Sequence, residues 1–323
     1  MITYFHRNKK AGYSINKVTQ TIISKISDKK EFYVPYYGAS LFTLLKNILY
    51  IYHHRSNNGI NHITGDIHYG IFGLLGGKSV ITIHDIGIVD DKESGFCLRV
   101  VYKWIWVKIP LYFATKVVCI SDFTKKNVER FTSRRDIVVI HNAVDDIFET
   151  KIKDPNLRPY NILAVGTGRN KNLERTIKAL EGIDCCITII GLLSEDQKIL
   201  LNTTHAKYVV KSNLTDLEVK KEYENTDIVT FVSLFEGFGM PIIEANKVGR
   251  PVITSDIPVL REVGGDSCLY VDPYDIQKIR SGFVELFEDE KLRKECVVNG
   301  LKNVKRFDVN IISQEWINLY KSL

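Results

Sequence analysis

Short apolar runs alternate with polar, helix-forming segments along the chain. Most of the runs are rich in Val and Ile and contain few polar residues, which is typical of parallel strands covered on both faces by helices. The runs are residues 2–5, 61–64, 79–84, 116–120, 136–140, 161–165, 186–190, 207–210, 227–232 and 251–254. This pattern predicts an α/β fold with doubly wound sheets.

A polar segment divides these runs into two series. Residues 145–160 carry two prolines and no apolar run, so we place an interdomain linker there. The predicted organisation is a Rossmann-like domain over residues 1–155, a second over 156–305, and a terminal helix over 306–323 that packs back on the first domain. Ligands of doubly wound sheets bind beyond the carboxyl ends of the strands. We therefore expect the two domains to face each other across a cleft that holds the active site.

Composition and charge narrow the class of protein. The chain has 323 residues, of which 45% are hydrophobic and 25% charged, as in folded globular proteins. Lys and Arg number 23 against 14 Asp and Glu in residues 1–158, but 21 against 24 in residues 159–323. The basic first half indicates an anionic partner. No stretch approaches the ~20 uncharged apolar residues of a membrane-spanning helix, and no signal peptide opens the sequence, so we expect a cytoplasmic protein.

The six cysteines and eight histidines lack the spacing of disulfide or metal frameworks. Three of the cysteines lie inside strand-like runs, which favours reduced, buried thiols. A D-x-D pair, the usual metal anchor of one-domain nucleotide-sugar enzymes, does not occur in the sequence. We therefore expect no bound metal and no cofactor.

Residues 227–256 carry the most chemical information. A strand passes into the loop SLFEGFG, and Pro241 marks the first turn of the next helix. We expect Glu236 at the strand exit and Glu244 in the first helical turn, where each carboxylate can accept hydrogen bonds from sugar or ribose hydroxyls. Taken singly, Glu244 could only complement the helix dipole and Glu236 could be a solvated loop residue. Glycines in this loop let the backbone approach a phosphate, at Phe238, Gly239 and Met240.

A second strand, glycine loop and helix follow one another in residues 161–180. Gly166 and Gly168 form the turn, and Arg169 and Lys171 stand at the helix entry, where cations can neutralise a diphosphate. The dinucleotide fingerprint G-x-G-x-x-G is incomplete, because Lys171 occupies the position of its third glycine. The alternative for Arg169 and Lys171 is a solvated basic loop.

These segments resemble the signatures of one family. EGFGMPIIEA, followed by residues 249–273, resembles the donor-site signature of glycosyltransferase family 4, whose members are retaining, metal-independent enzymes of the GT-B fold. AVGTGRNKNL resembles the phosphate loop of that family, and TIHD at residues 82–85 resembles a His-Asp step that ends a strand of its first domain.

The resemblance implies a role for each matching residue. Glu244 would hold the ribose hydroxyls of a nucleoside diphosphate sugar, and Glu236 the hydroxyls of the transferred sugar. Lys171 and Arg169 would stabilise the departing diphosphate. The remaining implied contacts to the donor are made by His84 and Gly12 of the first domain and by the backbone of Phe238, Gly239 and Met240.

The implied activity is a hexosyltransferase that moves a sugar from a nucleoside diphosphate sugar to a saccharide or lipid-linked acceptor, in cell-surface polysaccharide or lipopolysaccharide synthesis. Two alternatives stay open: a GT-B-type nucleotide-sugar epimerase and a non-catalytic nucleotide-sugar-binding protein. Nucleic-acid binding is not expected, because no recognition signature accompanies the basic half.

Residues 96–110 suggest where an anionic membrane surface could be contacted. Aromatic and basic residues recur there at helical spacing, and Leu98, Val101 and Ile105 form a separate apolar stripe suited to the core. Aromatics beside cations are typical of helices that lie on anionic lipid. The sequence thus predicts peripheral contact with the inner face of the plasma membrane through Arg99, Tyr102, Lys103 and Trp106. Packing of this basic face into the domain or into a dimer is the alternative.

Overall fold

The computed structural model describes residues 1–12, 14–90, 95–153, 159–204 and 206–323, and it divides into two units. The first unit is Met1–Ala143 together with Val309–Leu323, and the second is Val144–Asp308. The predicted boundary between residues 155 and 156 lies outside the described residues. In the described part, the chain enters the second unit after Ala143 and leaves it after Asp308.

The first unit contains a six-stranded parallel sheet of order β2-β1-β3-β4-β5-β6. Its strands are β1 (Ile2–His6), β2 (Lys29–Tyr33), β3 (Ile60–Ile63), β4 (Ser79–Ile83), β5 (Lys116–Cys119) and β6 (Val138–Val139). Its helices are α1 (Ser14–Ile23), α2 (Leu41–His54), α3 (Gly87–Asp90), α4 (Phe96–Tyr102), α5 (Ile109–Phe113), α6 (Asp122–Glu129) and, at the chain end, α14 (Val309–Lys321). The strand order reverses between β1 and β3, which makes their carboxyl ends the ligand-binding edge of this sheet.

The second unit contains a six-stranded parallel sheet of order β12-β11-β10-β7-β8-β9. Its strands are β7 (Tyr160–Val165), β8 (Cys185–Ile190), β9 (Lys207–Lys211), β10 (Ile228–Phe231), β11 (Val252–Ser255) and β12 (Cys268–Val271). Its helices are α7 (Leu173–Ala179), α8 (Glu195–Thr203), α9 (Asp216–Asn225), α10 (Met240–Val248), α11 (Pro258–Gly264), α12 (Ile276–Glu288) and α13 (Glu290–Asn303). Here the order reverses between β7 and β10.

The predicted strands are confirmed, and the structure adds β2 and β12. Both are edge strands, paired on one side only. The sequence KKEFY of β2 is polar and its residues are mostly half-buried, because an edge strand needs no continuous apolar run. The pattern of buried apolar runs therefore detects interior strands better than edge strands.

The last helix, α14, packs within the first unit. The Ser313 hydroxyl donates to the Ile22 carbonyl at the end of α1, over 3.0 Å. Tyr320 lies between two buried side chains, with its hydroxyl 2.7 Å from Nδ1 of His62 and 3.2 Å from the Tyr4 hydroxyl. These bonds tie the chain end to β1 and β3.

The predicted exposed stripe of residues 96–110 is wrong. Trp106 is only 9% exposed, and its indole N–H donates to the Asp66 carbonyl over 2.8 Å. The Tyr102 ring stacks on Trp106 at 5.4 Å between centroids, and burial raises the pKa of the Tyr102 hydroxyl. Of the four residues proposed for the membrane contact, Trp106 is therefore core, and Arg99, Tyr102 and Lys103 are half-buried.

Two of the three residues predicted for the core lie outside instead, whereas the third, Ile105, is partly buried and packs against the core. Leu98 is 56% exposed and Val101 46% exposed. The helix changes from α to π geometry over Lys103–Lys108, so one 3.6-residue period does not describe the whole segment. The large rings of Tyr102 and Trp106 take the inner face, whereas Phe96 and Trp104 are exposed.

All six cysteines lie in the described part of the chain and are free thiols. Cys119, Cys185 and Cys296 are buried, and burial raises the pKa of each thiol. Cys97, which lies outside the strand-like runs, is exposed on α4.

Candidate active site

Two loops meet at the carboxyl ends of β7 and β10, where the strand order of the second sheet reverses. The loop after β7 contains a short 3-10 helix, Arg169–Lys171. The Asn170 carbonyl accepts a hydrogen bond from the Leu234 N–H of the loop after β10, over 2.7 Å. This bond fixes the two loops against each other at the edge where doubly wound sheets bind ligands.

Lys171 and Glu236 form an ion pair between these loops. The Lys171 ammonium lies 2.5 Å from Oε1 of Glu236 and 4.7 Å from the centroid of the Phe231 ring. Asn170 donates its amide N–H to the same carboxylate oxygen over 3.2 Å. Both bonds end on Oε1, so Oε2 keeps its lone pairs available to a hydroxyl.

Gly166 determines the path of the Lys171 side chain. Its φ is +91°, in the region that favours glycine. A Cβ at this position would lie 3.1 Å from both Cγ and Cε of Lys171. The first glycine of the predicted phosphate loop thus leaves room for the lysine that the sequence assigns to the diphosphate.

Glu244 lies in the second turn of α10, not in the first turn as expected, because the helix begins at Met240. Its Oε2 accepts a hydrogen bond of 2.6 Å from the Tyr223 hydroxyl of α9. The Tyr223 side chain is fully buried, with its ring edge against Phe148, and burial beside Glu244 raises the pKa of this hydroxyl. A buried phenol therefore holds one oxygen of Glu244 in place.

The loop before α10 differs from the prediction in two respects. β10 ends at Phe231, so Glu236 lies within the loop and not at the strand exit. Gly239 has a φ of +125°, and a Cβ there would lie 2.8 Å from Cδ2 of Leu260. Packing alone therefore requires this glycine. Phe238 is also buried, with its ring edge-on to Phe307 at 5.7 Å, which leaves the backbone as the part of Phe238 suited to a ligand.

His84 directly follows β4 in the first unit. Its Nε2 lies 2.8 Å from the Thr64 carbonyl, which can only accept, so Nε2 carries the proton and Nδ1 is the acceptor. Burial lowers the pKa of His84, against the opposite influence of Asp85 and Asp66. The ring is therefore neutral near pH 7 and suited to accept a hydrogen bond from a hydroxyl.

Comparison with known proteins identifies the second unit. Residues 145–303 match the family model described as Glycosyl transferases group 1. The O-antigen chain mannosyltransferase B of Escherichia coli is 38% identical over 96 residues, which cover 29% of this chain and 25% of that relative. The UDP-Gal:alpha-D-GlcNAc-diphosphoundecaprenol alpha-1,3-galactosyltransferase of Escherichia coli is 25% identical over 340 residues, or 88% of this chain and 79% of that relative.

A solved structure supplies the fold of the whole chain. HepE of Anabaena in complex with UDP-glucose superposes with a TM-score of 0.81 at 15% identity, over 100% of each chain. The chain is a glycosyltransferase with the GT-B fold. The group 1 match covers almost the whole second unit of this glycosyltransferase, in which Lys171, Glu236 and Glu244 lie.

Arg169 lies two residues before Lys171 in the same short 3-10 helix of this glycosyltransferase. Its side chain is exposed and lines a surface groove together with Arg175, Lys178 and Tyr274. Lys171 and Glu236 do not line that groove. The structure places Lys171 on the carboxylate predicted to hold the sugar.

Gly12 lies in the loop after β1, with a φ of +105°. A Cβ there would lie 3.2 Å from Nη2 of Arg7. The structure thus places the predicted phosphate-proximal glycine beside a buried arginine that the sequence analysis did not single out.

Three further residues of the glycosyltransferase escaped sequence reasoning: Asn170, Tyr223 and Arg7. Asn170 lies between Arg169 and Lys171, whose charges carried the prediction, and as an uncharged residue it gave no such signal. Tyr223 precedes Glu244 by 21 positions and lies on a different helix, so no local spacing connects them. Arg7 directly follows a buried strand, and a charged residue at the carboxyl end of such a strand was the signal that could have indicated a binding role.

Within the described ranges, no group of three or more His, Cys, Asp or Glu side chains is arranged to hold a metal ion. None of the helices in the same ranges combines the length and apolar character needed to cross a bilayer.

Proposed function

We propose that this protein is a retaining glycosyltransferase of family 4, which transfers a sugar from a nucleoside diphosphate sugar to a saccharide or lipid-linked acceptor. The observation that carries the proposal is the Lys171–Glu236 pair at the strand-order reversal of the second sheet, with Glu244 held by Tyr223 nearby along the same loop and helix. The pair places a cation, which can bind phosphate, beside a carboxylate, which can accept hydrogen bonds from sugar hydroxyls.

Lys171 would stabilise the diphosphate as it leaves. An ammonium has three N–H donors, so its bond to Glu236 leaves donors for phosphate oxygens. During transfer, the bond between the anomeric carbon and the phosphate oxygen breaks while the acceptor oxygen bonds to that carbon on the same face. The departing oxygen keeps the electron pair and takes the acceptor proton. Fixed positive charge beside this oxygen lowers the barrier.

The carboxylates and His84 would orient the donor. Glu236 would accept from hydroxyls of the transferred sugar and Glu244 from the ribose, because ionised carboxylates only accept hydrogen bonds. His84 would accept from a sugar hydroxyl through Nδ1, since its Nε2 proton is committed to the Thr64 carbonyl. Binding both substrates in a fixed geometry supplies much of the rate enhancement that an enzyme without a nucleophile needs.

The remaining donor contacts are proposed at the backbone. The N–H groups of Phe238, Gly239 and Met240 lie at the start of α10, whose positive dipole end favours phosphate. Gly12 would lie near the phosphates on the first unit. Arg169 would act at longer range, from the rim.

The acceptor class is proposed from the relatives. One is named for transfer to a diphosphoundecaprenol-linked sugar and another for O-antigen chain mannosylation. The first name gives a lipid-linked sugar as the acceptor, and the second gives an O-antigen chain as the product. We place this protein in the same kind of synthesis, with a lipid-linked or saccharide acceptor.

The proposal is tested by donor turnover. The protein is incubated with a panel of UDP- and GDP-sugars, with and without acceptors, while nucleoside diphosphate release is measured and the anomeric configuration of the product is read by proton NMR. We expect acceptor-dependent release with retention. Interconversion of donor sugars without acceptor would indicate an epimerase. Binding without turnover would indicate a non-catalytic nucleotide-sugar-binding protein. A product of inverted anomeric configuration would contradict the retaining mechanism.

A membrane contact is proposed for α2 in place of the stripe that the structure buries. One face of this helix is exposed and apolar, formed by Leu41, Phe42, Leu45, Leu49 and Tyr52. Lys46 lies 4.0 Å from the Phe42 ring and Arg55 lies 4.2 Å from the Tyr52 ring. Residues 32–65 contain no Asp or Glu. An apolar face edged by cations alone fits an anionic bilayer surface.

Vesicle sedimentation tests this contact. We expect wild-type protein to sediment with phosphatidylglycerol vesicles more than with phosphatidylcholine vesicles, and Leu45→Glu with Leu49→Glu to abolish the difference. The matched control is Leu192→Glu, an exposed leucine of the second unit. Equal sedimentation of the wild type and the double variant would contradict the membrane contact. If the wild type forms a dimer and the double variant does not, the exposed face of α2 binds a second copy of the chain instead.

A further inference from the structure

Arg7 is a buried arginine without a full set of hydrogen bonds. It follows β1 directly and is only 7% exposed. Its Nη1 lies 3.5 Å from Oδ2 of Asp66, and its Nε has no hydrogen-bond partner among the described residues. A guanidinium has five N–H donors, so one distant carboxylate leaves most of them unused.

Two other buried arginines show what a structural guanidinium does in this chain. Arg250 donates from Nη1 to the carbonyl of Lys151 over 2.7 Å, and from Nη2 to the carbonyl of Glu224 over 2.7 Å. Arg293 donates to the carbonyls of Leu286 and Phe287. In both cases backbone carbonyls accept from the Nη groups, while Nε, as in Arg7, has no hydrogen-bond partner among the described residues. The difference therefore lies in the Nη donors.

Arg7 has no such carbonyl partner in the described part of the chain. Burying a charge without hydrogen bonds is unfavourable, because the lost hydration is not replaced. A ligand that brings oxygen atoms would supply what the protein does not.

The position of Arg7 suits such a ligand. It lies at the carboxyl end of β1, where the strand order of the first sheet reverses. Two glycines lie against it: a Cβ at Gly12 would lie 3.2 Å from Nη2, and one at Gly65 would be in ordinary contact, 3.5 Å from Cδ. Gly65 follows Thr64, whose carbonyl holds His84. Arg7 thus stands at the ligand-binding edge of the first unit.

We propose that Arg7 binds a phosphate group of the acceptor substrate, an inference that rests on the proposed function and names a phosphorylated lipid or sugar as the acceptor class. A planar guanidinium pairs two N–H groups with two phosphate oxygens, and this geometry gives both affinity and orientation. Asp66, 3.5 Å from Nη1, leaves the other donors of the group to the phosphate. The same chemistry would serve the diphosphate of the donor, and the experiment separates these two sources.

The experiment compares binding of three probes to the full chain at fixed ionic strength: farnesyl phosphate, farnesol and UDP. The variants are Arg7→Met, which keeps the volume and removes the charge, and Lys10→Met, which removes an exposed cation from the same loop. We expect Arg7→Met to weaken farnesyl phosphate binding about tenfold or more, as loss of charged hydrogen bonds does. Farnesol and UDP binding should be unchanged, and Lys10→Met should change farnesyl phosphate binding less than about twofold.

The melting temperature without ligand is a second readout. Because Arg7 is incompletely hydrogen-bonded, Arg7→Met should melt no lower than wild type, but it should lose the stabilisation that farnesyl phosphate gives wild type. A weakened UDP affinity with unchanged farnesyl phosphate affinity would assign the phosphate to the donor and overturn the acceptor site. Unchanged affinity for both phosphates, or a lower melting temperature as the sole effect, would show that Arg7 is structural. None of these outcomes requires turnover, so they are separate from failure of the glycosyl transfer itself.

Discussion

Both units carry charged residues at the carboxyl ends of the strands where the strand order reverses, but the charged residues differ in how fully they are paired. In the second unit, the ligand-binding edge carries Lys171 paired with Glu236 at 2.5 Å and Glu244 bonded to Tyr223. In the first unit, the corresponding edge carries Arg7, whose donors are mostly unused within the described residues, and the neutral His84. In the second unit, residues of the chain itself pair with the charged groups at this edge. In the first unit, a bound ligand would have to supply the partners of Arg7.

This difference explains why the sequence was informative in one half only. A site for a common donor can be built from adjacent loops, and EGFGMPIIEA and GTGRNKNL therefore appear as short strings. The acceptor site proposed here depends instead on a single residue, Arg7, which follows a strand of the first unit. A single residue forms no such string along the chain.

The largest expected effect is at the paired edge. Lys171→Ala should lower turnover by at least about a hundredfold, because charge stabilisation at a leaving oxygen contributes about that much or more per group. Steady-state kinetics with the best donor, together with an unchanged circular dichroism spectrum, checks the prediction. Lys178→Ala, an exposed lysine of α7, is the matched control and should stay within about twofold of wild type. A Lys171→Ala enzyme with normal turnover would remove the lysine from the mechanism.

Acidification should affect the first unit selectively. Burial lowers the pKa of His6 to about 4, and it also lowers the pKa values of His62, His68 and His84. Below pH 6.5 the unfolded chain binds protons that the folded unit does not, so stability falls as the pH falls toward 4. The change at His6 alone corresponds to roughly 3 kcal/mol.

Tryptophan fluorescence reports this unit, because Trp104, Trp106 and Trp316 all lie in it. The urea midpoint should be clearly lower at pH 4.5 than at pH 7. His53→Gln, at an exposed position, should leave this pH dependence unchanged. A midpoint that does not move with pH would mean that the buried histidines do not titrate as their environment indicates.

Gly166→Ala should disturb Lys171 through contact, not through charge. The new methyl group would lie 3.1 Å from the lysine side chain, and φ is +91°. We expect about 1 kcal/mol of lost stability from the backbone and about a tenfold loss of turnover. Gly182→Ala is the matched control, since its φ is +71° but no atom lies within 4 Å of the added Cβ. Equal turnover in the two variants would show that Gly166 acts only through its backbone.

Tyr223→Phe should have the smallest effect. It removes the hydrogen bond that holds Glu244, and this should weaken nucleoside diphosphate binding by about three- to tenfold. Calorimetry should show no such loss for a 2′,3′-dideoxynucleoside diphosphate, because that ligand lacks the hydroxyls assigned to Glu244. Tyr208→Phe, at an exposed tyrosine, serves as the control. An equal loss for both ligands would mean that Tyr223 supports the fold and not the carboxylate.

The fold was predictable to the extent that burial leaves a pattern. Interior strands such as β4 and β10 are continuous apolar runs on both faces, whereas the edge strand β2 is polar. The orientation of residues 96–110 was not predictable, because apolar and aromatic residues line both faces of that helix and the π segment shifts its period. Contacts such as Tyr223 with Glu244 depend on how helices pack, which the local sequence does not encode.

The central claim is that the site of the second unit binds the nucleotide of the donor. A crystal structure of the full protein with a bound nucleoside diphosphate tests it most directly. The account predicts phosphate oxygens within hydrogen-bond distance of Nζ of Lys171 and ribose hydroxyls on the Glu244 carboxylate. A nucleotide bound elsewhere, with Lys171 still paired only to Glu236, would contradict it.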